Sequence, residues 1–217
     1  MQATDSDPLA FCEMAFPVLG ERVPADNGYA LYAAISRVLG RHLPPGVSVA
    51  SLGGVAMGGR MLRLDRGARL RLRSVPDEIG GLLPLAGRTL DVGGCTITIG
   101  VPDVRCLAPA PDLIARVVTI RNQTEPAPFL DVVRRQLAEL GADGEASIPA
   151  VEVGPRRGEP MRKVVRVKGH AIIGYTVRVA GLSPGSSLIL QACGIGGRRH
   201  LGCGVFFPAR SGEGVAA

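Results

Sequence analysis

Residues 9–19 form an apolar run that ends at Pro17 and Gly20, the pattern of a buried first strand. Asp26 then precedes residues 27–39, where Tyr29, Leu31, Tyr32, Ile35, Val38 and Leu39 fall mostly at helical spacing. The spacing predicts a helix capped by Asp26 and stopped by Gly40 and Pro44-Pro45. Residues 47–55, 60–64 and 69–75 predict strands. Arg and Leu alternate strictly over residues 69–73, which puts the arginines on one face and the leucines on the other. Residues 76–85, opened by Pro76-Asp77-Glu78, predict a second helix, and residues 96–101 a returning strand.

The second half repeats the order. Residues 113–120 are rich in β-formers, Pro126 opens a helix to Leu140, and Gly141 ends it. Residues 148–153 and 162–168 predict strands, and residues 171–179 pair back after a turn at Lys168-Gly169-His170. Residues 183–191 predict a helix with Pro184 in its first turn, and residues 205–207 close the pattern. Two successive β-α-β-β-α-β units of about 100 residues describe an α+β protein built from tandem ferredoxin-like (RRM-like) domains. The proline-rich stretch 106–111 marks the boundary, giving an N-terminal domain over 1–106 and a C-terminal one over 107–217.

Composition narrows the class. With 46% hydrophobic and 20% charged residues, the 217-residue chain is expected to fold rather than stay disordered. No run approaches the length of a membrane span. The start of the chain carries acids where a secretion signal needs a basic residue. The five cysteines lack CxxC spacing, which fits free thiols in the cytoplasm better than disulfides or a metal site.

Charge is modest in sum, +6, but concentrated. Residues 154–210 hold ten Lys or Arg against the single acid Glu159, a net of +9. Arg60, Arg63, Arg66, Arg69, Arg71 and Arg73 face only Asp65 in their segment. Such blocks fit a polyanion, with a solvated arginine face as the plainer alternative. Within the second block, residues 194–204 place five glycines around Arg198, Arg199 and His200. A glycine loop of this kind suits close approach to phosphates, and by itself it also suits a flexible hairpin. No Lys-Ser or Lys-Thr follows the glycines, which argues against a nucleotide P-loop.

The pattern G-h-G, five residues, G-h-G, met here by Gly194-Ile195-Gly196 and Gly202-Cys203-Gly204, resembles the loop of the RAMP superfamily of CRISPR-associated RNA-binding proteins. Residues 24–36, Arg166-Val167-Lys168-Gly169 and the closing Gly196–Gly204 segment are similar to the type I repeat-processing endoribonuclease, Myxococcus-type subgroup. The resemblance runs from about Phe16 to Pro208. It implies a cytoplasmic nuclease, without metal or other cofactor, that cuts a CRISPR precursor transcript within the repeat. The 2′-hydroxyl would attack the adjacent phosphate, leaving a 2′,3′-cyclic phosphate and a 5′-hydroxyl. The enzyme would stay on the repeat stem-loop of the guide RNA, beside other subunits of a type I effector complex.

That chemistry needs a base, an acid and positive charge at phosphorus, and histidine suits the first two. Of three histidines, His42 follows the first predicted helix, with Tyr29 and Tyr32 behind it. His42, Tyr29 and position 27 are the catalytic candidates. His42 fits equally a polar residue at a helix C-terminus. Members of the subgroup often read Asp-His-Gly-Tyr where this chain has Asp26-Asn27-Gly28-Tyr29, and asparagine neither gives nor takes a proton at neutral pH. The chain therefore either relies on His42 or serves as a non-cleaving guide-RNA-binding subunit. The RNA-binding candidates are Arg162, Lys163, Arg166, Lys168 and His170 on the predicted hairpin, and Gly194, Gly196, Gly197, Arg198, Arg199, His200 and Gly202 in the loop. Alternation puts Arg162, Arg166 and Lys168 on one strand face. Eight aromatics and no Trp leave little for broad base stacking.

Overall fold

The computed structural model describes residues 10–209. The acidic start of the chain and the first residue of the first predicted strand lie outside the described residues. The protein is a mixed α+β chain that divides into two compact units. Among the described residues, one comprises residues 10–107 and His200–Gly202, and the other Ala108–Arg199 and residues 203–209.

The first unit is organised around β1 (Cys12–Leu19). After β2 (Arg22–Pro24) comes helix α1 (Gly28–Leu39), which buries Leu31, Ala34 and Ile35 at the spacing of one helical face. Short strands β3 (Ser48–Val49), β4 (Val55–Met57) and β5 (Met61–Arg63) lead to β6 (Arg69–Ser74). A single α-turn, α2 (Ile79–Leu82), precedes β7 (Thr89–Asp91), β8 (Thr96–Ile99) and β9 (Asp103–Cys106). The main sheet runs β3-β6-β1-β8-β7, all antiparallel, and β9 shares an edge of β1 with β8. β2, β5 and β4 form a second, small sheet. Met14, Phe16, Leu70 and Leu72 from β1 and β6 pack with Leu31 and Ile35 of α1 in one core.

The second unit has β10 (Leu113–Val118), α3 (Pro126–Glu139), β11 (Glu145–Ser147), β12 (Arg162–Val167), β13 (His170–Ala180), α4 (Pro184–Cys193) and β14 (Phe207–Pro208). Its sheet runs β11-β13-β10-β14, with β12 folded back on β13. Phe129, Val133 and Leu137 of α3 bury against Tyr175, Val177 and Val179 of β13. Ser183 caps α4 by accepting the Ser186 N–H, and Pro184 occupies the first turn, where a missing N–H costs nothing.

Several predicted elements differ, each for a local reason. The strand expected over 47–55 breaks into β3 and the start of β4, with Gly53-Gly54 between them. The helix expected over 76–85 is a 3₁₀ turn, α2 and a second 3₁₀ turn, because Gly80, Gly81 and Pro84 interrupt it. Residues 148–153 hold no strand; β11 lies earlier, and Pro149 breaks the run, leaving only the bridge Ala150–Pro160. The N-cap of α1 is Asn27, not Asp26.

The arginine face of β6 also differs from expectation. Leu70 and Leu72 are buried as the alternation requires, but Arg73 is only 2% exposed. It lies directly opposite Glu13 in register, with its Nε 3.0 Å from the carboxylate, and Arg71 reaches the same carboxylate at 3.8 Å. Part of the first basic block is therefore internally neutralised. Burial pulls the Arg73 pKa down and the Glu13 carboxylate opposes that shift.

Candidate functional site

In the first unit, Gly40 closes α1 in the left-handed conformation, φ 65°, and the chain turns so that exposed His42 returns to the helix. Its Nδ1 lies 2.9 Å from the hydroxyl of Tyr32. The two ring planes are nearly parallel, 7° apart, and the hydroxyl meets the imidazole at Nδ1. The phenol donates when Nδ1 is unprotonated and accepts when Nδ1 carries the hydrogen. It is Tyr32, rather than Tyr29 one turn earlier, that makes this hydrogen bond.

Tyr32 has a second aromatic neighbour. The His200 ring centroid lies 4.8 Å from that of Tyr32 at an angle of 58°. Residues 199–201 form a 3₁₀ turn that leaves His200 exposed and Leu201 buried. Two glycines allow this approach. A Cβ at Gly28 would overlap the Leu201 carbonyl oxygen, and one at Gly202 would overlap the Ser51 hydroxyl. Two imidazoles thus meet one phenol, His42 at its hydroxyl and His200 at its ring.

Asn27 stands just before α1 with no exposed surface. Its Nδ2 donates to the carbonyls of Pro24 and Leu52, both at 2.9 Å, and its Oδ1 accepts the Leu52 N–H at 2.9 Å. Every hydrogen-bonding function of that amide is occupied by a backbone partner, apart from the second lone pair. The side chain clips the start of α1 to the segment that carries Ser51.

In the second unit the β12–β13 hairpin turns through Lys168 and Gly169, both at positive φ, 49° and 84°. That is the backbone twist favoured in two-residue hairpins. Arg162, Arg166, Lys168 and His170 are exposed on it. Lys163 points to the opposite strand face and is partly buried. Burial, followed by repulsion from Arg116 and Arg156, lowers its pKa. A pocket of about 400 Å³ lies beside the strand, its lining including Arg156, Glu159, Arg162 and Tyr175.

The first half of the glycine loop is committed internally. Gly194 caps α4 and gives its N–H to Leu190. The N–H of Gly196 donates to the Gln136 side chain at 2.9 Å and that of Gly197 to the Thr119 carbonyl at 3.1 Å. Arg199 donates to the Cys193 carbonyl at the end of α4. Arg198 is exposed with φ 64°, a conformation rare outside glycine. The sequence pointed to close approach of this loop to phosphates, and the backbone N–H groups of Gly194, Gly196 and Gly197 already have protein acceptors.

Residues 12–211 match the family model described as Cas6 Crispr, and the chain belongs to the Cas6 family. It is 37% identical over 201 residues to the CRISPR-associated endonuclease Cas6 of Myxococcus xanthus (strain DK1622), a match spanning 92% of this chain and 82% of that protein. Its fold is similar to that of the product of a Cas6-related gene from Pyrococcus furiosus, with a TM-score of 0.62 at 13% identity, covering 91% of this chain and 97% of the other. It is similar as well to an RAMP protein binding different RNA substrates, TM-score 0.58 at 14% identity, covering 90% and 98%.

Proposed function

We propose that this protein is a metal-independent endoribonuclease that cuts CRISPR precursor transcripts within the repeat and stays on the repeat stem-loop. The observation that carries the reading is the hydrogen bond between Tyr32 and His42 beside the exposed His200. The strand orders β3-β6-β1-β9 and β11-β13-β10-β14 each match a ferredoxin-like sheet, so we read the chain as two tandem ferredoxin-like domains. The endonuclease relative of Myxococcus xanthus supports the activity.

In this reading the His42–Tyr32 couple takes the proton of the 2′-hydroxyl. The oxygen attacks the neighbouring phosphorus, the 2′,3′-cyclic phosphate forms and the 5′-oxygen leaves. Imidazole is basic enough at neutral pH to take the proton without a metal. Arg162, Lys163, Arg166, Lys168 and His170 bind the stem through phosphates, since A-form RNA hides its major-groove edges. Arg198 adds charge from the loop, while Gly194, Gly196, Gly197 and Gly202 give the loop its shape. The enzyme works in the cytoplasm, holding its guide RNA for other subunits of a type I effector complex.

A non-cleaving guide-RNA-binding role was suggested by asparagine at position 27. The burial of Asn27 among backbone partners weakens that suggestion, because the side chain serves the fold. The test is incubation of the protein with end-labelled repeat RNA in EDTA. Cleavage giving a 2′,3′-cyclic phosphate, lost in His42→Ala, is the expected result. Tight binding with the RNA left intact would establish the non-cleaving role instead.

A further inference from the structure

The proposed reaction needs a second proton transfer, to the 5′-oxygen as it leaves, and His42 with Tyr32 accounts for the first. We propose that His200 is the catalytic acid for that step; this rests on the nuclease reading above. The His200 ring lies 4.8 Å, centroid to centroid, from the phenol bound to His42. A histidine that only met RNA phosphates would need reach, not registration. His200 is registered. Asn27 clips the Ser51–Leu52 segment to the start of α1, with Leu52 N and O both bonded to its amide at 2.9 Å. Gly202 sits against Ser51, and Leu201 against Gly28, at approaches that no side chain at either glycine would permit. These contacts fix the residues on both sides of α1 and just after His200, so the imidazole is held close to Tyr32 while its own surface stays open to RNA.

The step balances without any further reactant. The 2′-hydroxyl proton passes to the His42–Tyr32 couple as the O2′–P bond forms. The P–O5′ bond breaks, and O5′ takes a proton from the His200 imidazolium. One proton has entered the protein and one has left it, and solvent exchange restores both rings. Two histidines around one phenol, one at its hydroxyl and one at its ring, suit this division, because each must present a nitrogen to a different oxygen across the same phosphorus.

The test uses the full-length protein and two repeat RNAs, one natural and one with sulfur replacing the 5′-bridging oxygen at the cut. A thiolate leaves without protonation. His200→Ala is expected to slow single-turnover cleavage of natural RNA by about 10²–10⁴-fold at saturating protein, and to cut the sulfur substrate at nearly the rate of the parent protein. His42→Ala should be slow on both. The more conservative His200→Gln should behave as His200→Ala does, which separates lost chemistry from a disturbed loop.

Equal impairment of His200→Ala on the two substrates would overturn the assignment. So would a full rate at saturation with weakened binding, which makes His200 a phosphate contact, or rescue of His42→Ala instead, which exchanges the roles. Failure of the parent protein to cut either RNA would sink the nuclease reading itself.

Discussion

The hydroxyl of Tyr32 and Nδ1 of His42 lie 2.9 Å apart, joining the middle of α1 to the segment that follows its left-handed cap. A phenol bonded to one ring nitrogen fixes the ring plane and leaves Nε2 to face solvent and substrate. Tyr32→Phe removes that bond and keeps the packing. Cleavage by Tyr32→Phe should fall by about fivefold, the value of one hydrogen bond near 1 kcal/mol. His42→Ala should fall by about 10²–10⁴-fold, the usual span for a lost general base. Both are measured as single-turnover rates on repeat RNA in EDTA. If His42→Ala cleaved at the parent rate, the base would have to lie elsewhere.

Asn27 tests whether position 27 acts on the fold or on the reaction. Asn27→Ala leaves the buried N–H of Leu52 and two carbonyls without their partner. A buried group left unsatisfied costs about 1–3 kcal/mol, so urea unfolding should show a loss of at least that size. Well below the unfolding transition, the cleavage rate should fall far less than in His42→Ala or His200→Ala, because both imidazoles remain and only the clip that helps to register His200 is lost. Asn27→His should be destabilised as well and should cleave no faster. A faster Asn27→His would show that the side chain reaches the reacting atoms.

The same two results mark how far the sequence could be read. The buried leucines of β6, the helical period of α1 and α3, and the Ser183-Pro184 start of α4 are local signals, and they fold as patterned, whereas Arg73 on the other face of β6 is buried against Glu13. The breaks at Gly53-Gly54, Gly80-Gly81 and Pro149 are written in the chain as well, and there the backbone preference prevails over the apolar residues around it. The meeting of His200 with Tyr32 joins residues far apart in sequence, and no period or spacing encodes it. The choice of Tyr32 over Tyr29 was hidden too, because residues three apart share a helix face. Gly28 and Gly202 held the best available clue, since glycine in a helix's first turn and in a loop tip invites another backbone to come close.

The Glu13–Arg73 pair gives a prediction on stability alone. The Arg73 side chain is 2% exposed and that of Glu13 13%. Removing one partner of a buried ion pair strands the other charge, at a cost of about 3–5 kcal/mol. Glu13→Gln should lower the unfolding free energy by that amount, read as a lower urea midpoint at an unchanged m-value. Cleavage by the folded fraction should match the parent protein, since β1 and β6 carry none of the proposed chemistry. A loss below about 1 kcal/mol would mean that the pair behaves as a surface bridge.

Lys163 offers a pH signature of RNA binding. Burial, then Arg116 and Arg156, lowers its pKa below the ordinary lysine value of about 10.4. A phosphate at the β12 strand would favour the ammonium form and raise that pKa in the complex. Affinity is then complete below the free-state pKa and declines as pH rises from it toward the bound-state value. Repeat RNA with a 2′-deoxy residue at the cut resists cleavage and allows the measurement by fluorescence anisotropy. The parent protein should lose affinity on the alkaline side, and Lys163→Arg, which keeps its charge, should show a flatter profile. Salt gives the second readout. Replacing Arg162, Arg166 or Lys168 by Ala should each reduce the slope of log K against log salt by about 1, the mark of one lost phosphate contact. A slope unchanged by all three would move the RNA off this hairpin, and identical pH profiles for the parent and Lys163→Arg would remove Lys163 from the interface.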